Sequence, residues 1–283
     1  MMTRQDGFTL IEMVVAITVS AVVVGFMALF LTSPVEAYFS QERRTELADS
    51  ANSARRMFAN DIHNALPDSV RAVTSGTNRA LELLQVTDMA RYRPTPSSGN
   101  ALQDLQLGPP GDQDFSLFGV LATLPTSVNV CTGRLAIGRG NAYAVSNVIT
   151  PAGMCFTLAP PDAIKNEQAV HLAAPFAFTA AGSPSATVYY VKQPVSYVCD
   201  LTANTLKRFE GYPISANQAS HATEAQLIAQ GASMSLVARD VTACTFQYSS
   251  SLAGGPLARL RLTFSRNGET LQVFEQVQVE NQP

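Results

Sequence analysis

Apolar positions fall into three patterns along this chain, and each predicts a different element. Residues 8–31 form an almost unbroken apolar run that carries one carboxylate, Glu12, near its start. At about 1.5 Å per residue the run makes about 36 Å of helix, enough to cross a bilayer core with some tilt. Beyond it, Leu47, Ala51, Ala54, Phe58, Ile62 and Ala65 step by threes and fours, the stripe of a helix lying on something. Glu42, Arg43, Arg44, Glu46, Asp49, Arg55, Arg56 and Asp61 are mixed in sign and mark its solvent side. Pro67 stops the pattern, so one helix over residues 8–66 is predicted. Inside it, Pro34 removes a donor and crowds the carbonyl of Phe30, which with Gly25 upstream predicts a kink or local melting between the two.

After Pro67 the pattern shortens to strand-like segments at residues 69–73, 80–86, 115–121, 142–148, 154–158, 169–172, 186–191 and 196–199, with a short helix over 219–230. Turn signals lie at residues 93–99 and at Gly108-Pro109-Pro110-Gly111. The clearest hairpin closes the chain: residues 257–264 and 270–279 flank Asn267-Gly268, a pair suited to the positive backbone angles of a tight turn. Alternation of Leu271, Val273, Val277 and Val279 turns one apolar face inward. The predicted fold is α+β: a long amino-terminal helix whose distal half packs on a mainly antiparallel β-sheet, with the anchor half projecting.

At 283 residues, 46% hydrophobic, the chain is long enough for a sizeable core in one large or two small domains. A net charge of −3 gives no global pull towards nucleic acid or an anionic membrane. Its four cysteines, Cys131, Cys155, Cys199 and Cys244, are widely spaced. In an exported domain they read as two disulfides with three possible connectivities, of which Cys131 with Cys155 and Cys199 with Cys244 closes the shortest loops. The alternative, a four-cysteine zinc site, normally draws its ligands as close pairs.

Catalytic chemistry finds little support. The imidazoles His63, His171 and His221 sit in no recognisable motif, and nucleophilic catalysis needs convergent partners. Asp112-Gln113-Asp114 lacks the ligand series of a calcium loop and reads as a polar turn. Arg259 and Arg261 share one exposed strand face, yet two arginines without an aromatic stacking partner make a weak nucleic-acid site. No enzyme, metal or cofactor is expected.

A general secretory signal places its small cleavage residue after the apolar run, whereas Gly7 lies before it, so cleavage there would leave the helix in place. Gly7-Phe8-Thr9-Leu10-Ile11-Glu12 with the apolar run resembles the class III signal of type IV prepilins and type II secretion pseudopilins. That resemblance implies a leader of residues 1–7, cleavage after Gly7, and N-methylation of Phe8 by the prepilin peptidase. It further implies an assembly half over 8–31, an amphipathic half over 32–66, and a periplasmic β-rich domain over 67–283. Glu12 would neutralise the amino terminus of a neighbouring subunit, making Phe8 and Glu12 the assembly pair. Stretches 64–71, 194–200 and 276–283 look like those of MshO-type minor pilins of mannose-sensitive haemagglutinin pili, and more distantly of J-type pseudopilins and W-type minor pilins. The function implied is initiation or tip-proximal assembly at the bacterial inner membrane, with other minor and major pilins, the prepilin peptidase and the inner-membrane assembly platform as partners. A tip-displayed adhesin or DNA-binding pilin is the alternative, although composition makes nucleic acid an unexpected partner.

Overall fold

The computed structural model of the chain describes residues 7–94, 104–137, 140–143, 147–163, 166–179, 181, 183, 185–249 and 256–279. Residues 1–6 of the expected leader, 95–99 of the expected loop and the closing residues 280–283 lie outside the described residues. Helix α1, Leu10–His63, is one element of 54 residues, about 81 Å long. It continues through Gly25 and Pro34, so the local melting expected there is not seen.

Among the described residues thirteen strands follow: β1 (Arg71–Ser75), β2 (Asn78–Tyr92), β3 (Asp112–Phe118), β4 (Asn129–Val130), β5 (Arg134–Ile137), β6 (Phe156–Leu158), β7 (Glu167–Phe176), β8 (Thr187–Asp200), β9 (Thr205–Glu210), β10 (Ser233–Arg239), β11 (Val241–Ser249), β12 (Leu257–Arg266) and β13 (Glu269–Gln278). A 3-10 turn, Gln218–His221, and a short helix α2, Glu224–Ala229, separate β9 from β10. Ten strands form one sheet in the order β10-β9-β8-β2-β3-β7-β6-β4, with β1 on β2 and β5 on β8; β11-β12-β13 form a second, three-stranded sheet. The named strand pairs are antiparallel. The fold is α+β.

All six stripe residues, Leu47, Ala51, Ala54, Phe58 and Ile62 of α1 and Ala65 just beyond its end, are buried at 3% exposure or less. They pack in one core cluster with Leu81, Leu83, Val195 and Tyr197 of the large sheet and Phe246, Leu260, Leu262 and Phe264 of the small one. Phe58 marks the contact: its ring lies edge-on to Tyr197 at 5.7 Å and stacked on Phe246 at 6.2 Å, so the helix is held between two sheets. Ion pairs stitch its solvent side to the closing hairpin, Arg44 to Glu269 at 2.8 Å and Arg266 to Glu46 at 2.7 Å. At the hairpin tip Asn267 and Gly268 both take positive φ (50° and 85°), the pair of angles that joins twisted strands in two residues.

Three sequence expectations fail here. Residues 186–191 and 196–199 are one strand, because register shifts opposite Gln85 and Val86 let Pro194 pass through β8. Residues 142–148 form no strand among the described residues: Ala142, Tyr143 and Val148 sit in turns and still fill a core cluster. Strands β4, β5, β9, β10 and β11 are not predicted; in β9 Lys207, Arg208 and Glu210 break the apolar alternation, and two of those charges are paired with other elements, Lys207 with Glu224 and Arg208 with Asp61.

Candidate assembly helix and its anchorage

The projecting half of α1 begins with Thr9, whose side chain accepts a hydrogen bond from the Glu12 backbone N–H at 3.3 Å and caps the helix. Thr9-Leu10-Ile11-Glu12 has the spacing of a capping box, a signal that sequence reasoning missed. It gives Glu12 a local role as well: a carboxylate in the first turn meets the positive end of the helix dipole. The Glu12 carboxylate has no hydrogen bond or ion pair among the described residues, so half of the box is left unmade and the charge is free for an outside partner. From Leu10 to Ala28, 19 residues are long and apolar enough to cross a membrane, and none is buried in the protein. Phe8 is 82% exposed and Leu10 83%, a degree of apolar exposure that water does not tolerate over a whole helix.

Residues 2–28 match the family model described as the prokaryotic N-terminal methylation motif. The chain carries a type IV pilin-like amino terminus. Comparison with the curated proteins and with the solved structures finds no match. The methylation motif spans Gly7, Phe8 and Glu12 together and covers the exposed apolar stretch Leu10–Ala28.

The other end of the pilin-like helix is fixed by a buried polar cluster. Asp61, 3% exposed in the last turns of α1, accepts from the Tyr197 hydroxyl at 2.6 Å and from Arg208 Nε at 2.7 Å. Burial alone would lower the Arg208 pKa, but the bond to Asp61, the Asp61 charge and the bond to Glu210 together outweigh it and raise the value. Burial pushes the Tyr197 phenol up, and the Asp61 charge pushes it further, so Tyr197 stays a neutral donor.

A second cluster holds the segment before β10. Glu82 on β2, 1% exposed, receives Arg71 Nε at 2.8 Å on one oxygen and His221 Nδ1 at 3.0 Å with the Tyr212 hydroxyl at 3.3 Å on the other. His221 Nε2 lies 2.9 Å from the Gln230 side-chain oxygen, whose orientation is fixed by its amide donating to the Ser220 carbonyl. Both imidazole nitrogens therefore face acceptors, the arrangement of an imidazolium. Burial opposes that charge, and the bonds to Glu82 and Gln230 overcome it, raising the His221 pKa.

The remaining candidates are scattered. His63 is half-buried in the last turn of α1. His171 Nδ1 lies 2.6 Å from Asp114 across β3 and β7, both largely exposed at the rim of a groove of about 690 Å³. Asp112 accepts from the backbone N–H groups of Gln106, Gln113 and Asp114, a turn role. Among the described residues no three His, Cys, Asp or Glu side chains converge as a metal site.

The four cysteines are joined as Cys131–Cys155 and Cys199–Cys244. Cys199 and Cys244, on β8 and β11, tie the two sheets together inside the core, at 0% and 5% exposure, whereas Cys131 is exposed. Each loop closure is worth about 3 to 4 kcal/mol in the chain-entropy model. Thiolate attack needs access to sulfur. Mild reduction of the folded protein followed by alkylation should label Cys131 and Cys155 first, and Cys199 and Cys244 only after denaturant is added. Peptide mapping that finds all four labelled together would contradict this order.

Proposed function

We propose that the chain is a minor pilin of the MshO type, cleaved after Gly7 and N-methylated at Phe8 by the prepilin peptidase. It would sit as a single-pass inner-membrane protein, its β-rich domain in the periplasm. From there it joins other minor and major pilins on the assembly platform, in an initiating or tip-proximal complex. The observation that carries this reading is the exposed apolar helix Leu10–Ala28, which lies within a methylation-motif match and bears one unpartnered carboxylate, Glu12. A charge held in such a helix is costly unless a cation meets it, and the amino terminus freed by cleavage of a neighbouring subunit supplies one. In pilins the outermost subunit often lacks this glutamate, so its presence fits a place just below the tip. The role is structural: the helix supplies lateral packing and the domain supplies surface.

Processing tests the proposal directly. Intact-mass measurement of the native membrane protein should give a chain beginning at methylated Phe8, and Gly7→Val should leave the precursor uncut. A native chain that still begins at Met1 or Met2 would end the prepilin reading.

A further inference from the structure

The small sheet shows its inner face to α1, while Thr245, Gln247, Arg261, Phe274 and Gln276 on its other face are exposed and Arg259 is half-buried in a groove shared with Val70, Arg71 and Ala72. Leu260, Leu262 and Phe264 point inward at 0% exposure, which sends Arg259, Arg261 and Thr263 outward. The strand register then assembles two cross-strand rows on the outer face: Thr245, Arg261 and Phe274 in one, Gln247, Arg259 and Gln276 in the next. Phe274 is 54% exposed directly opposite Arg261. The aromatic partner that neighbouring sequence could not offer the two arginines is thus brought in from the adjacent strand.

Charge on this face is one-sided. Neither Arg259 nor Arg261 has an ion pair or side-chain hydrogen bond among the described residues, and Arg259 Nε is buried without an acceptor. The acids of β13 lie on the opposite side, where Glu269 pairs with Arg44 and Glu275 with Arg55 of the helix. No described residue with an acidic side chain alternates onto the outer face. Two uncompensated arginines, whose backbone positions are about 7 Å apart along one strand, beside an exposed ring and side-chain amides, complement a polyanion that carries flat faces. A neutral sugar would use the ring and the amides but would leave both charges unmet.

We propose that the outer face of the three-stranded sheet binds single-stranded nucleic acid, with Arg259 and Arg261 neutralising phosphates and Phe274 stacking on a base. The strand must be single, because a base has to leave its own stack to lie on Phe274. With a protein net charge of −3 there is no long-range steering, so affinity is local and is lost readily to salt.

The test uses the full chain in detergent micelles and a fluorescent oligothymidylate, read by anisotropy across a salt series. Saturable binding is expected, with a log–log salt slope of about −1.4 for two phosphate contacts on a single strand. The double variant Arg259→Ala/Arg261→Ala should bind at least about tenfold more weakly with a flattened slope, and Phe274→Ala about tenfold more weakly with the slope kept. Thr245→Glu, an exposed position in the Arg261 row, should weaken binding without touching the core, which guards against misfolding of the other variants. Absence of saturable binding, native affinity in the variants, equal affinity for duplex, or displacement of the oligonucleotide by a neutral oligosaccharide would each overturn the proposal.

Discussion

A Glu12→Ala chain is expected to be cleaved and inserted like the native one and to lose its partner pilins on purification. The proposed cleavage would use Gly7 and the apolar run, both of which the substitution leaves alone. Insertion becomes easier, because a carboxylate costs about 2.5 to 3.5 kcal/mol at a helix centre in lipid and a fraction of that in the first turn. In the proposed assembly the substitution would remove one member of a charge pair formed away from water. Truncating one member of such a pair costs about 2 to 5 kcal/mol, which is a loss of about thirtyfold or more in association. Glu12 has no other partner among the described residues, so loss of an internal contact cannot mimic the effect, apart from its share in the helix cap. Glu12→Gln separates the two: it keeps the polar cap-proximal side chain and removes the charge, and should fail in co-purification as Glu12→Ala does. Normal co-purification of both variants would make Glu12 a helix-start residue and remove the main support for a register-set filament subunit.

The second large effect is expected at Glu82. Replacing it with leucine strands Arg71 and His221 beside an apolar side chain in a site where Glu82 itself is 1% exposed. Removing one partner of a buried pair costs about 3 to 5 kcal/mol. For a domain of this size that corresponds to a fall of about 10 °C in Tm. Linkage adds a pH signature. The folded pKa of His221 is raised above the unfolded value of about 6.5, so its contribution is complete below that value and is lost as pH rises through the folded pKa. Glu82→Gln should flatten that part of the stability profile while keeping most of the hydrogen bonds. Thermal melts of the native and variant chains from about pH 5 to pH 9 measure both effects, and a Glu82→Leu melt within 2 °C of native would show the cluster to be energetically neutral.

Periodicity carried the helix. Six residues chosen by three- and four-residue steps are all buried, because an 81 Å helix with a continuous stripe has one way to lie on a sheet. The hairpin was equally legible, since Asn267-Gly268 and the alternation beyond it fix turn and register together. The polar clusters were not. Glu82 and His221 are 139 residues apart and Asp61 and Arg208 are 147 apart, and no local pattern marks a charge whose partner arrives only with the fold. His221 sits in no sequence motif, and its two acceptors, Glu82 and Gln230, arrive only with the fold. Strand β8 escaped because Pro194 argues against an unbroken central strand unless a register shift accompanies it. At the amino terminus the family motif was plain, but the cap from Thr9 was hidden inside it.

Among the described residues Leu47 is the first of α1 buried in the domain, and it lies about 55 Å along the helix from Leu10. Any pull on the anchored half enters the domain along the helix axis, parallel to the stripe from Leu47 to Ala65. Contacts loaded in that direction share force in shear and must slide together, whereas a sideways pull would peel them one turn at a time. The Asp61 cluster locks the far end of that slide to β8 and β9, and Cys199–Cys244 binds β8 to the sheet on the helix's other side. The domain is therefore built as a clamp of two sheets on one side of a rod, strongest under a pull along the helix axis.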